Sequence, residues 1–262
     1  MAAQPIWNIS VVDINGSGIG IVPSAYDWTI TYQLNQPTIT QFKVPITSDA
    51  ATVLEPGSAY IKIYRRAVGS STNTLVFYGP VWVVEEQGAN SGVDMLSVTA
   101  MDAMVYLGKR FTTAVYSSYT DQGTIIKGII DTTNSTDGDT GIRTTVGSVS
   151  VGITRKVDFS DAKLPILDVI NQFGDALDGC DTWITPIEYA SGKIGDLRCD
   201  DIRGSLQSDA VFGYGLRTVA NCPAMSRNRN MDLVANDVTG YVDAIAQNWV
   251  DTNSVSSYRR LM

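Results

Sequence analysis

The glycine-rich stretch Gly16-Ser17-Gly18-Ile19-Gly20 has the outline of a loop that could cradle a phosphate. A dinucleotide fingerprint needs its third glycine at position 21 and a helix after it. Position 21 is Ile21, and the chain runs on as an apolar strand to Pro23, so a hairpin turn is the preferred reading. Asp137-Gly138-Asp139-Thr140-Gly141 opens like a calcium loop, but it lacks the glycine at its sixth position and the closing glutamate in register, and a solvated turn is preferred. Glu85-Glu86 and Asp200-Asp201 are adjacent carboxylates. Neighbours on a strand point to opposite faces, so neither pair converges on one substrate, and surface solubility is the simpler role. Arg227 and Arg229 share a face if their segment is extended; ion pairs at a subunit interface and plain exposure stay equally open. Trp7, Trp28, Trp82, Trp183 and Trp249 are spread singly along the chain, which suits core or interface anchors better than a sugar-stacking platform.

The sequence contains no histidine. That removes the commonest general base, metal ligand and triad partner together. Carboxylate or lysine chemistry survives, yet no catalytic, cofactor-binding or metal-ligating residue is assigned. The expectation is a protein that is not an enzyme and carries no cofactor. The three cysteines, Cys180, Cys199 and Cys222, are odd in number and show no CxxC spacing, which fits a reducing compartment. If residues 190–193 make a hairpin turn, Cys199 faces Ile184 rather than Cys180. An offset of four residues at roughly 3.3 Å each is then too long for a disulfide.

The chain has 262 residues, 44% of them hydrophobic, 18% charged, with a net charge of -8. It is a globular composition, large enough for one big or two modest domains. An acidic balance argues against a nucleic-acid grip, because neutralised phosphates supply most of that affinity, and no run of Lys and Arg exceeds two. The N-terminus lacks a positive and then apolar leader pattern, and no apolar run reaches spanning length, so no stable membrane insertion is expected.

The elements that would position these residues are mostly strands. Alternation and turn chemistry predict strands over 6–14, 19–22, 27–34, 38–45, 59–66, 75–86 and 93–100, with turns at Asn15-Gly16-Ser17-Gly18 and Leu54-Glu55-Pro56-Gly57. Ala59, Ile61 and Ile63 share one face, and Gly79-Pro80 should break or bend the sixth strand. Seven or eight short strands form a sandwich-or-barrel pattern. A short helix is expected over 101–107. Asp121 caps a helix with the stripe Ile125, Ile126, Ile129 and Ile130. Residues 132–152 read as an exposed loop or weak hairpin. Ser160 or Asp161 caps the next helix, whose Pro165 fits the first turn. Its Leu167, Ile170, Phe173 and Leu177 should pack on a hairpin of 182–188 and 193–200 that carries Trp183 and Ile184. Strands return over 210–242, broken at Gly213, Gly215 and Pro223.

Several of these stretches, in order, resemble one known family. They are Asp27-Trp28-Thr29-Ile30, Tyr32-Gln33-Leu34-Asn35-Gln36-Pro37, Leu54-Glu55-Pro56-Gly57-Ser58 and Tyr60-Ile61-Lys62-Ile63-Tyr64-Arg65-Arg66. Val76-Phe77-Tyr78-Gly79-Pro80-Val81, Leu96-Ser97-Val98-Thr99-Ala100-Met101-Asp102-Ala103-Met104 and Leu107-Gly108-Lys109-Arg110 continue the series. Trp183, Phe212-Gly213-Tyr214-Gly215, Asn236-Asp237-Val238-Thr239-Gly240, Asp251 and Ser254-Val255-Ser256-Ser257-Tyr258-Arg259-Arg260 complete it. The whole is similar to siphophage tail-hub proteins, the baseplate-hub kind of minor tail protein. Order and spacing carry the likeness, since each motif alone is common in β-proteins. The family's Tyr-Gly-Arg lacks its glycine here at Tyr258, and the family's chains run on past the position of Met262.

The resemblance implies a β-rich α+β fold: barrel-like β domains with an inserted helix-plus-hairpin segment, divided as 1–112, 113–204 and 205–262. It implies a structural hub at the virion tail tip, assembled in the host cytoplasm as a homotrimeric ring. Its partners would be the distal tail or tail tube protein, the tape measure protein and other tail-tip proteins, with DNA passing through unbound. The sequence shows no internal repeat corresponding to two barrels. Three rivals stand beside this reading: a carbohydrate-binding host-attachment module, a distal tail ring protein, and a hydrolase with carboxylates roughly 5–9 Å apart.

Overall fold

A computed structural model describes residues 6–86, 94–145, 149–160, 163–176 and 179–200, and the backbone at 87, 237–242 and 245–250. The chain forms two compact units, Met1–Ser205 and Leu206–Met262.

The first unit begins with seven strands: β1 (Ile6–Val12), β2 (Gly18–Val22), β3 (Tyr26–Thr31), β4 (Ile39–Pro45), β5 (Tyr60–Arg66), β6 (Asn73–Gln87) and β7 (Met95–Met101). They make one antiparallel sheet in the order β2-β1-β5-β6-β7-β4-β3. Bending comes from β6. Its first half pairs with β5 as far as Pro80, and from Val81 it pairs with β7. Gly79 and Pro80 occupy the corner, so the predicted break is a bend in one continuous strand. Gly79 is there because Met101 O lies only 1.9 Å from where a Cβ would stand. The curled sheet brings Trp7 of β1 against Trp28 of β3, edge to face at 4.8 Å between centroids. Side chains, not hydrogen bonds, thus approach closure: among the described residues β2 and β3 do not pair, and the sheet is barrel-like without being a closed barrel.

Alternation fills the inside. Ile9, Val11, Phe42, Val44, Ile61, Ile63, Phe77, Val81, Leu96 and Val98 are all buried in one cluster. On β5, however, Tyr60 and Lys62 on the opposite face are buried as well. Tyr60 and Tyr78 belong to a second cluster, built on the α+β part. Strand β5 is therefore covered on both faces.

The second part of this unit starts with a 3₁₀ helix, Ala103–Lys109, where a short helix was expected. Asp102 caps it, accepting from Met104 N at 2.9 Å while also accepting from Thr38 N at 2.9 Å. Four short or polar strands follow: β8 (Phe111–Thr112), β9 (Val115–Asp121), β10 (Ile142–Arg143) and β11 (Thr154–Asp158). Helix α1 (Gln122–Thr136) starts at the predicted cap: Asp121 Oδ1 accepts from Thr124 N at 3.0 Å. Its four predicted isoleucines are buried. The other Asp121 oxygen accepts from the amides of Val151 and Gly152 at 2.9 and 2.7 Å, anchoring the segment that was expected to be loose.

Helix α2 (Ile166–Asp175) begins later than its sequence signals suggest. Leu164–Pro165 is instead a two-residue strand, β12, paired with β8, and Pro165 sits at the cap position. The buried face is Ile166, Val169, Ile170 and Phe173; Leu167 is only partly covered, and Asp161 and Leu177 lie outside the described residues. The helix packs on the 3₁₀ helix as well as on α1 and the hairpin.

That hairpin is β13 (Asp181–Ala190) with β14 (Lys193–Asp200). An irregularity between Pro186 and Ala190 shifts the register, so Cys199 faces Thr182 and Ile184 faces Leu197. The expected Cys199–Ile184 pairing is corrected by that bulge. Cys180 and Cys199 remain free thiols, as expected; Cys222 lies outside the described residues. Burial, then the neighbouring Cys180, pushes the Cys199 thiol up to about 12, which leaves it inert as a nucleophile. In the second unit, β15 (Asp237–Val242) pairs antiparallel with β16 (Ile245–Val250). The rest of the 210–242 stretch lies outside the described residues.

Asp102 gives this fold a measurable pH response. Burial raises its carboxyl from 3.8 to about 6, against the lowering effect of the Thr38 and Met104 hydrogen bonds. A raised folded-state value means that the folded chain holds the proton more tightly. The stabilising share is therefore fully present below about pH 4 and lost as the pH rises through about 6. The span corresponds to about 3 kcal/mol at most. Urea melts of the parent and Asp102→Asn chains should diverge in slope across that window and run parallel above pH 7.

Candidate functional site

The two glycine-containing loops singled out for chemistry have structural occupations. Gly16 takes φ +77° and donates its amide to Asp13 O at 3.0 Å, closing the turn between β1 and β2. Asp13 Oδ1 accepts from Asn15 N and Ser17 N at 2.9 and 2.8 Å, and no helix follows. In the 137–141 loop, Asp139 accepts from Gly141 N at 2.8 Å and pairs with Lys193 at 2.6 Å. Its carboxylate is committed to the loop and the hairpin. Glu85 and Glu86 are exposed near the end of β6, and Asp200 is exposed at the end of β14. Asp201, Arg227, Arg229 and the Trp249 side chain lie outside the described residues. Among the described residues no three His, Cys, Asp or Glu side chains gather as a metal would need, and no helix is long and apolar enough to cross a membrane.

Two features remain that could act on other molecules. The first is the edge strand β2. Gly20 and Val22 turn inward, while Ile19 and Ile21 are 43% and 70% exposed. The strand has no charged residue, and the register shift opposite Val11 and Val12 leaves Ile19 as its one extra residue. An apolar, uncharged edge is the surface that isolated proteins avoid, because its free amides and carbonyls can pair with another chain. At the opposite edge, β3 exposes Tyr26, and Tyr32 follows just beyond it.

The second is a seam of tyrosines between the outer face of β5 and the hairpin. Glu188 of β13 accepts from Tyr64 Oη at 2.7 Å and from Lys62 Nζ at 2.9 Å. Burial pushes the Glu188 carboxyl up, but those two bonds and the Lys62 charge outweigh it and hold it below its usual range. Burial, then Glu188, raises the Tyr64 hydroxyl. Lys62 Nζ also lies over the Tyr78 ring, 4.8 Å from its centroid. The Tyr60 and Tyr106 hydroxyls are 3.0 Å apart, and Trp82 meets Tyr106 edge to face at 5.9 Å. The Tyr78 hydroxyl is buried with no hydrogen-bond partner among the described residues. Desolvation accordingly raises it most, with smaller contributions from Tyr60, Tyr189, Glu188 and Tyr64.

The sequence reading did not find this seam. The alternation Tyr60-Lys62-Tyr64 marks a common face of β5, but its partner Glu188 comes 126 residues later than Lys62. Nor did it find a local basic patch: Lys109, Arg110 and Lys163 converge with exposed Phe111 around a recess of about 500 Å³. No two of them except Lys109 and Arg110 are adjacent in sequence.

No family model and no curated protein matches the sequence. Solved structures do match. The chain is similar to the prophage tail protein gp18 from Listeria monocytogenes EGD-e, with 12% identity and a TM-score of 0.56. The alignment covers 97% of this chain and 70% of that one. It is also similar to the tail protein from Neisseria meningitidis MC58, with 11% identity, a TM-score of 0.53, and coverage of 94% and 66%. The chain has a phage tail protein fold. At such low identity the likeness is one of backbone, so the side chains of the edge and the seam belong to this sequence in their own right. The chain spans about two thirds of the length of each of these tail proteins.

Proposed function

We propose that this chain is a structural component of a phage tail, a tail-tip hub that forms a homotrimeric ring joining the tail tube to the tip. The observation that carries the reading is the tail-protein fold extending over 97% of the chain. The open edge at β2 supports it. A ring needs heterologous contacts, one surface of each copy meeting a different surface of the next. The apolar β2 edge of one copy and the β3 edge of its neighbour form such a pair. In this assignment residues 1–112 supply the ring body, 113–204 buttress it, and 205–262 begin a second barrel-like segment. The neighbours are the distal tail or tail tube protein, the tape measure protein and other tail-tip proteins, at the virion tail tip after assembly in the host cytoplasm. The chain works without catalysis or cofactor. Its acidic excess faces the lumen, where phosphate repulsion lets DNA slide through without specific binding.

Native mass spectrometry of the purified full chain tests this. Trimers are expected for the parent. Ile21→Lys, on an exposed side chain, should keep the circular dichroism spectrum of the folded chain and shift the population to monomers, because a lysine on an edge opposes strand pairing. Six-membered rings would assign the chain to the distal tail ring instead, and a parent that stays monomeric at every concentration would overturn the ring.

A further inference from the structure

A cleft of about 410 Å³ opens beside the tyrosine seam, where the β1–β2 turn, the 3₁₀ helix, the α1–β10 loop and the β13–β14 turn converge. Its walls include Tyr60, Tyr106 and Tyr189, and its polar groups include Asn15, Arg110 and Asp139. Both charges are already engaged within the protein. Arg110 donates to the carbonyl oxygen of Asp137, and Asp139 is paired with Lys193. The cleft therefore carries one cation, Arg110, because its partner is a neutral carbonyl oxygen, while Asp139 is neutralised by Lys193. It also offers hydrogen bonds. The Tyr60 and Tyr106 hydroxyls share one proton between them, so the second proton is free to be donated, and Asn15 stands exposed on its turn with both a donor and an acceptor.

Aromatic walls, a single cation and donors mixed with acceptors match one ligand chemistry well. A sugar ring has apolar C–H faces for the tyrosines and a girdle of hydroxyls for the amide, guanidinium and carboxylate. The volume lies in the range that encloses a small organic ligand. We propose that this cleft binds a neutral saccharide of one or two rings, a function separate from ring assembly.

Trp82 touches Tyr106, so its fluorescence reports on the cleft wall. The full chain would be titrated with maltose, lactose and N,N′-diacetylchitobiose, following fluorescence and heat. At least one should saturate with a Kd of about 1 mM or tighter. Tyr189→Ala and Asn15→Ala should each weaken that binding about tenfold or more. Asn15 lies on an exposed turn, so its variant decides the matter if Tyr189→Ala proves unstable. Ile21→Lys should bind like the parent, which separates this result from any loss of assembly. No saturation with any of the three sugars, affinity unchanged in Asn15→Ala, or binding of inorganic phosphate in preference to the sugars would each overturn the proposal.

Discussion

A Gly79→Ala chain should melt about 10 °C below the parent, if it folds at all. The added Cβ would stand 1.9 Å from Met101 O, 2.7 Å from Met101 C and 2.8 Å from Asp102 Cα. All three are backbone atoms, so no rotamer change can relieve the overlap. Either β6 must leave its partner at the corner, or Met101 and Asp102 must move and loosen the cap of the 3₁₀ helix. A cost of about 3 kcal/mol or more follows, at the upper end for overpacking, and for a unit of this size each kilocalorie shifts the midpoint by about 2–4 °C. Gly18→Ala is the control. No atom stands within 4 Å of its Cβ position, so its melt should match the parent's to within about 0.5 kcal/mol. Differential scanning calorimetry on both chains gives the comparison. A Gly79→Ala melt equal to that of Gly18→Ala would show that the corner is not packed as described.

Asp196→Ala should cost about 2–4 kcal/mol in urea titrations at pH 7. Asp196 is 3% exposed and takes a two-pronged contact from Arg143, Nε to Oδ1 at 2.5 Å and Nη2 to Oδ2 at 2.9 Å. Arg198 approaches the same carboxylate at 3.6 Å. These contacts lock β10 onto β14, in a parallel ladder only two residues long. Removing the carboxylate leaves two guanidinium groups facing a vacated site. Both arginine side chains are 31% exposed and can turn toward water, which keeps the loss below that of a fully buried pair. Arg143→Met combined with Asp196→Leu should recover much of it, since the one cation then left beside the apolar pair is Arg198, which can turn toward water. A double variant no more stable than Asp196→Ala would mean that hydrogen-bond geometry, not charge desolvation, dominates at this site.

Much of the fold could be read where local chemistry and tertiary context agree. The alternation of Ala59, Ile61 and Ile63 marks the inner face of β5, and Asp121 with its four downstream isoleucines marks α1, because cap and stripe are both local signals. The reading failed where a distant partner decided the outcome. Leu164–Pro165 looks like a first helical turn, yet pairing with Phe111–Thr112 draws it into a strand. Strands β9 and β11 pair with one another through mostly polar, half-exposed residues, which carry little periodic signal. The Cys199 partner was misplaced because the bulge after Pro186 leaves no mark in the turn residues. Of the candidate surfaces, β2 was recognised as a strand, but its place at an edge depends on the order of the whole sheet. The tyrosine cleft draws on residues from Ile14 to Ile194, and no spacing rule connects them.

The double burial of β5 has a bearing on how such chains can be inherited. Tyr60 and Lys62 look outward from the curled sheet into material supplied by β13 and its neighbours. A gene exchange that cut between residues 112 and 113 would pair one parent's outer β5 face with another parent's hairpin. Lys62 would then lose Glu188 unless both parents carried the same pair. The change of architecture near residue 112 is thus not a seam for cassette swapping. Natural mosaics of this fold should keep Lys62 and Glu188 from the same parent.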